Sequence, residues 1–271
     1  MQPEKNECLA RARDASEEEI DSLLYEANEV VLLATIENPR FLEKHARLLL
    51  ARADISSVIL AALADADNGK WMACESVRLG LAQHQHSPKR LALSAVRQLF
   101  LFDLVRVSLL PSVPPDVRRL AEETMLSRVP HLAIGEKLTL ARRGPARVAA
   151  AILAGGHPQA IKLALANPFL TESQVLKVLA REGIGERVVV AIAKHSKWSC
   201  VYNVRLALLR NPLAPLDCLE PFIGELMAGD LADISSLCEI STELRKLIAR
   251  EVKRREEKQC QGDNSNPSPT A

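Results

Sequence analysis

An all-α fold built by internal duplication is predicted by three observations on the 271-residue sequence. The first is a repeated phrase: KWSCVYNVRLALLRN, from Lys197, echoes KWMACESVRLGL, from Lys70. Trp71 and Trp198, the only two tryptophans, stand 127 positions apart, and Val77/Val204, Arg78/Arg205, Pro88/Pro215, Leu99/Leu226, Asp103/Asp230 and Leu120/Leu247 keep that offset. Upstream, Asn38-Pro39 and Asn167-Pro168 are 129 apart, so the second copy lacks two residues between that point and its tryptophan. The second observation is composition. At 48% apolar and 3% aromatic, the core is one of Leu, Ala, Val and Ile, which lets helix axes approach closely. The third is that the apolar runs are helical in spacing and stop at Asn-Pro or a similar breaker. Together these give a first copy at 30–125, a linking hairpin at 126–160 and a second copy at 161–252, all within one domain over 16–256.

The elements follow in order. Residues 1–15 are polar and expected to be flexible. Ser16 with Glu19 forms a capping-box pair, in which each side chain satisfies a first-turn N–H, and opens a helix through Ile20, Leu23 and Leu24 to Ile36. Pro39 ends it by disfavouring helical geometry at Asn38. Helices through Leu42–Leu50 and Ile55–Leu63 come next, then a turn, ADADNGK, with Gly69 left-handed, then a helix from Trp71 to Leu81. Ser87 as N-cap before Pro88 starts a helix to Phe100. Asp103–Leu109 and, after the turn PSVPP, Asp116–Ser127 complete the first copy. The linking segment has a helix to Arg142, a break at Gly144-Pro145 and an alanine-rich helix to Gly155-Gly156. In the second copy Thr171 and Gln174 form another capping-box pair, and helices follow at Arg187–Lys194, Lys197–Arg210, Pro215–Met227 and Leu231–Leu237. Ser241 caps the last helix, and residues 257–271 are an expected disordered tail.

Charge and cysteine usage narrow the function. With 35 basic and 34 acidic side chains the formal charge is +1, so no whole-protein field draws the chain to nucleic acid or an anionic membrane. The six cysteines have no C-x-x-C spacing and read as reduced thiols of a cytoplasmic protein. The N-terminal residues lack an apolar signal region, and no apolar run is long enough for a transmembrane helix.

Four groups of residues invite a chemical reading. Trp71 and Trp198 are candidate ligand-clamping rings, or fillers where successive hairpins meet. Arg78 and Arg205, with Asp103 and Asp230, form a twice-repeated constellation that either binds a partner or pairs internally, the guanidinium also being able to hold loop carbonyls. Lys137, Arg142, Arg143 and Arg147 form a cationic cluster beside the Gly144-Pro145 break, a candidate anion or nucleic-acid site without aromatic residues for base stacking. His84 and His86, with His157 and His195, lack metal-ligand spacing, so no metal or other cofactor is expected. No nucleophile elbow, Walker loop or dinucleotide fingerprint occurs.

IKLALANP from Ile161 and VRLALLRNP from Val204 are 43 residues apart, a step expected to hold two helices. That period resembles HEAT-like helical repeats. The Asn-Pro following LALxN also resembles the bacterial leucine-rich repeat variant proteins, which implies a right-handed α-solenoid. The iron–sulfur cluster of that type is not implied, since Cys8 stands alone near the N-terminus. DNA alkylation-repair glycosylases are similar in architecture only. The resemblance implies a concave repeat surface and hence a non-enzymatic protein–protein interaction scaffold; the alternative is a nucleic-acid-binding module using the 137–147 cluster.

Overall fold

The computed structural model describes residues 9–26, 28–237 and 240–264, with backbone alone for 67, 68 and 258–264. The rest of the expected flexible N-terminus and of the expected tail lies outside the described residues. Every described element is helical, no described helix is long and apolar enough to cross a membrane, and the chain divides into two compact units, 1–130 and 131–271.

In the first unit a short helix over 9–14 precedes Glu17–Leu23, Glu29–Ile36, Glu43–Ala51, Ser57–Ala73, Glu75–Gln83, Lys89–Arg97, Leu101–Leu109 and Pro115–Arg128. In the second the series is Ile134–Arg143, Ala146–Ala154, Pro158–Leu165, Glu172–Leu179, Glu186–Ala193, Tyr202–Leu209, Leu216–Ile223, Ala228–Ser236 and Thr242–Asn264. The two series correspond one for one. Within the first unit, Glu29–Ile36, Ser57–Ala73, Lys89–Arg97 and Pro115–Arg128 pack side by side in one row, and Glu43–Ala51, Glu75–Gln83 and Leu101–Leu109 pack in a second. The second unit repeats this arrangement, with Pro158–Leu165, Glu186–Ala193 and Leu216–Ile223 in one row and Ala146–Ala154, Glu172–Leu179 and Tyr202–Leu209 in the other. The core lies between the rows; in the first unit Ile20, Leu24, Leu49, Leu60, Leu63 and Leu81 are all at most 1% exposed.

Buried asparagines tie successive hairpins together. Asn38 donates from Nδ2 to the carbonyls of Ala12 and Ala15 and accepts the Arg40 N–H at Oδ1. Asn167 makes the same three bonds 129 residues later, to Ala141, Gly144 and Phe169. Asn211 bonds the Leu179 carbonyl and the Leu213 N–H, and His84, 127 residues before it, makes a comparable pair of bonds with its ring, though to a carbonyl beyond the one equivalent to Leu179: Nε2 meets the Arg52 carbonyl at 2.8 Å and Nδ1 accepts from the His86 N–H. Arginines supply a second set of ties. Arg128 donates to the Leu99 and Arg97 carbonyls, and Arg255 to those of Leu226 and Gly224, each partner displaced by 127. A buried carbonyl at a helix end needs such a donor, so these side chains are placed by the backbone's needs.

Several sequence expectations are corrected. The hairpin Ile134–Ala154 is the first of the second unit, equivalent to 9–24, rather than a linker, because Asn167 grips it as Asn38 grips residues 12–15. For the same reason residues 9–15 are ordered, with Ala12 fully buried, and the last helix carries residues 257–264 of the expected tail. The helix expected from Ser16 to Ile36 is two, since Asn28 caps a new one by accepting the Val30 N–H. ADADNGK is not a turn: Ser57–Ala73 runs through it, with Gly69 at φ 78°. The second copy has AKHSK here, two residues fewer, and its helix stops at Ala193. Trp71–Leu81 and Lys197–Arg210 are not single helices. Cys74 and Val201 are extended, and Trp198–Cys200 is a 3-10 turn. Pro88, rather than Ser87, is the N-cap of Lys89–Arg97, and Thr171 makes no side-chain cap bond, whereas the Ser16/Glu19 box and the Ser241 cap are present. The 43-residue step holds three short helices, not two. Successive hairpins start at Glu29, Ser57 and Lys89 in the first unit and at Pro158, Glu186 and Leu216 in the second, a step near 30 residues, because most helices have only eight or nine.

His45 gives the first unit a pH dependence. Its side chain is fully buried, its Nδ1 accepts the Leu42 N–H at 2.9 Å, and its Nε2 lies 3.4 Å from Asp21 Oδ1 without hydrogen-bond alignment. Burial holds the imidazole below its ordinary value of 6.5, with Asp21 pulling the other way. Below about pH 6.5 the unfolded chain binds a proton that the folded chain refuses. Stability is therefore complete above that pH and declines as pH falls through the window beneath it. His45→Gln, which installs the residue found at the equivalent Gln174, is expected to flatten this decline in urea-unfolding midpoints between pH 7.5 and 5.5; an unchanged slope would contradict the assignment.

Candidate binding cleft

Both tryptophans are interior. Trp71 is 4% and Trp198 2% exposed. Trp198 donates its indole N–H to the Leu165 carbonyl at 3.0 Å, whereas the Trp71 N–H has no partner among the described residues and its ring meets Phe41 edge-on, centroids 5.5 Å apart. The preceding lysine lies over each ring, Lys70 at 4.9 Å and Lys197 at 4.3 Å. These are the contacts of hairpin fillers covered by a cation.

Arg78 and Arg205 turn back onto the chain. Arg78 donates to the Met72 and Ala73 carbonyls, and Arg205 to the Ser199 carbonyl, the same offset of six in both copies; Arg205 also pairs with Glu225. They fasten the extended breaks at Cys74 and Val201. The Arg–Asp pairing within the repeat is corrected. Asp230 accepts the Tyr202 hydroxyl hydrogen bond and raises that group's pKa, and Asp103 shares a hydrogen bond with Glu75, pushing the Glu75 carboxyl up. Glu75 and Tyr202 occupy equivalent positions. A carboxylate and a group with a removable proton can share that proton, so the acidic residue meets this partner in both copies.

In the cationic cluster, Arg142 and Arg143 are exposed at the end of Ile134–Arg143, while Lys137 and Arg147 are half-buried and already engaged. Four free cations facing one ligand are therefore not assembled there. His84 and His86 bond backbone carbonyls, and no described group of three or more His, Cys, Asp or Glu could hold a metal ion.

The concave feature of the second unit lies elsewhere. The C-terminal ends of Glu172–Leu179 and Tyr202–Leu209, with the turns after them, enclose an open cleft of about 850 Å³. Its apolar lining includes Leu176, Leu206 and Ala207, its rim Arg181, Glu182 and Arg210. The first unit has the same feature between Glu43–Ala51 and Glu75–Gln83, reduced to about 240 Å³. A Cβ at Gly80 would stand 2.8 Å from Leu50 Cδ1, so the first-unit helices touch through a glycine; Ala207 occupies the equivalent place in the second unit. The charges differ too. Arg52 is locked onto the carbonyls of Leu24 and Glu26 and paired with Asp54. Its counterpart Arg181 faces Gly183 where Asp54 would be, and Gln83 is replaced by Arg210. Neither the Arg181 nor the Arg210 side chain has a hydrogen bond or ion pair among the described residues. No protein-family model, curated protein or solved structure matches the chain.

The cleft was not singled out from sequence. Its signal was present, since the 129 and 127 offsets align Arg52 with Arg181 and Gln83 with Arg210. What was missing is that Arg52 is tied to carbonyls 26 and 28 residues upstream.

Proposed function

We propose that the chain is a non-enzymatic protein–protein interaction scaffold of the cytoplasm, a HEAT-like helical-repeat protein whose units are arcs of a right-handed α-solenoid. The observation that carries this reading is the second-unit cleft: 850 Å³ is the size of a ligand-binding pocket, and its apolar lining is open to a partner, as the binding surfaces of stacked repeats are. Its cations are guanidiniums, which stay charged and orient a ligand but do not exchange protons near neutral pH. This favours binding over catalysis.

The test is capture with the immobilised full chain. A stoichiometric protein partner is expected to survive a rise from low to moderate salt, to be lost with Leu206→Asp and to be kept with Leu79→Asp, the equivalent change in the first unit. A partner indifferent to Leu206→Asp would remove the cleft from the account. Recovery of nucleic acid that washes off steeply with salt would put the Arg142–Arg143 surface in its place.

A further inference from the structure

We infer that the second-unit cleft takes an acidic peptide segment with an aliphatic side chain, carboxylates on Arg181 and Arg210 and the aliphatic group on Leu176, Leu206 and Ala207. This rests on the interaction-scaffold reading and gives it a ligand class.

Three observations lead there. First, Arg181 and Arg210 stand exposed on one cleft with their side chains unpartnered among the described residues, so both guanidiniums can turn to a ligand. Second, the duplication supplies an internal control. The first-unit counterpart is built from the equivalent helices but has a locked Arg52 and an uncharged Gln83, so the cationic rim belongs to the second cleft of the two. Third, charge alone does not suffice. Glu182 sits on the rim, and two helix C-termini, each equivalent to roughly half a negative charge, point toward it. A bare anion therefore meets little net attraction, and bidentate arginine–carboxylate bonds must act together with burial of an apolar group. Nucleic acid fits less well, because no aromatic side chain lines the cleft to stack on a base.

The probe is fluorescein-labelled Ser-Asp-Glu-Leu-Leu-Asp-Ser, titrated with full-length protein and read by anisotropy, beside one peptide with Asn and Gln for the acids and another with Ser for both leucines. The parent peptide is expected to bind at least tenfold more tightly than either. Arg181→Ala and Arg210→Gln are each expected to weaken it roughly tenfold, and Arg143→Ala to leave it unchanged, with melting curves unaltered because none of these side chains has a partner among the described residues. The inference is overturned if the parent peptide fails to bind, if it binds no better than the Asn/Gln peptide, or if both rim variants bind like wild type. Should Leu206→Asp still abolish capture of a protein partner in those cases, the scaffold reading stands and only the acidic class falls.

Discussion

Trp198→Ala is expected to destabilise the second unit by about 3–5 kcal/mol, the cost of truncating a large buried aromatic side chain. The indole is 2% exposed and fills the junction between hairpins, so the cavity has no route to solvent. Trp71→Ala is expected to cost the first unit a similar amount. The milder change to phenylalanine separates the two. Trp198→Phe removes the donor to the Leu165 carbonyl and leaves that acceptor buried, an added cost of about 1–3 kcal/mol. Trp71→Phe removes an N–H that has no partner among the described residues, so it loses packing alone and is expected to be the gentler of the pair. Urea unfolding of the four variants measures this. Unchanged stability in both alanine variants would return these rings to the list of ligand contacts.

Asn167→Ala is the second large effect. The side chain is 1% exposed and satisfies three backbone groups at once, the carbonyls of Ala141 and Gly144 and the N–H of Phe169. Alanine leaves all three without a protein partner, and a total of about 3 kcal/mol is expected, since one buried unsatisfied group costs roughly 1–3 kcal/mol and entering water recovers part of it. Asn211→Ala, at a half-buried site with two such bonds, is expected to cost less than half as much. Equal losses at the two sites, measured by thermal and urea unfolding, would mean that burial does not set the value of these ties.

Much of the fold was legible because it was written twice. The spacing of the tryptophans and of Asn38-Pro39 against Asn167-Pro168 exposed the duplication, and Ser16 with Glu19 marked a helix start through a local hydrogen-bond pattern. The breaks at Cys74 and Val201 were hidden because neither residue is a glycine or proline; a distant property, the reach of Arg78 and Arg205 back to a carbonyl six residues earlier, stabilises the extended residue. The Ile134–Ala154 hairpin looked like a linker because its sequence has drifted, with Gly144-Pro145 standing where the first copy has Ala15-Ser16, while the backbone bonds that Asn167 makes to it have not. The 43-residue echo was real as sequence, yet Asn167 and Asn211 follow helices in different rows, so it reports a shared way of ending a helix rather than the stacking unit. The cleft was illegible for a related reason. Whether an arginine is tied down or free depends on partners more than twenty residues away.

Hydrogen exchange of the full chain, with the peptide Ser-Asp-Glu-Leu-Leu-Asp-Ser and separately with a single-stranded oligonucleotide, locates the surface that each ligand covers. Slowed exchange is expected on peptide addition at 176–184 and 203–213, and no change with the oligonucleotide. Slowing at 137–147 with the oligonucleotide, and none at the cleft with the peptide, would contradict the assignment of binding to the cleft.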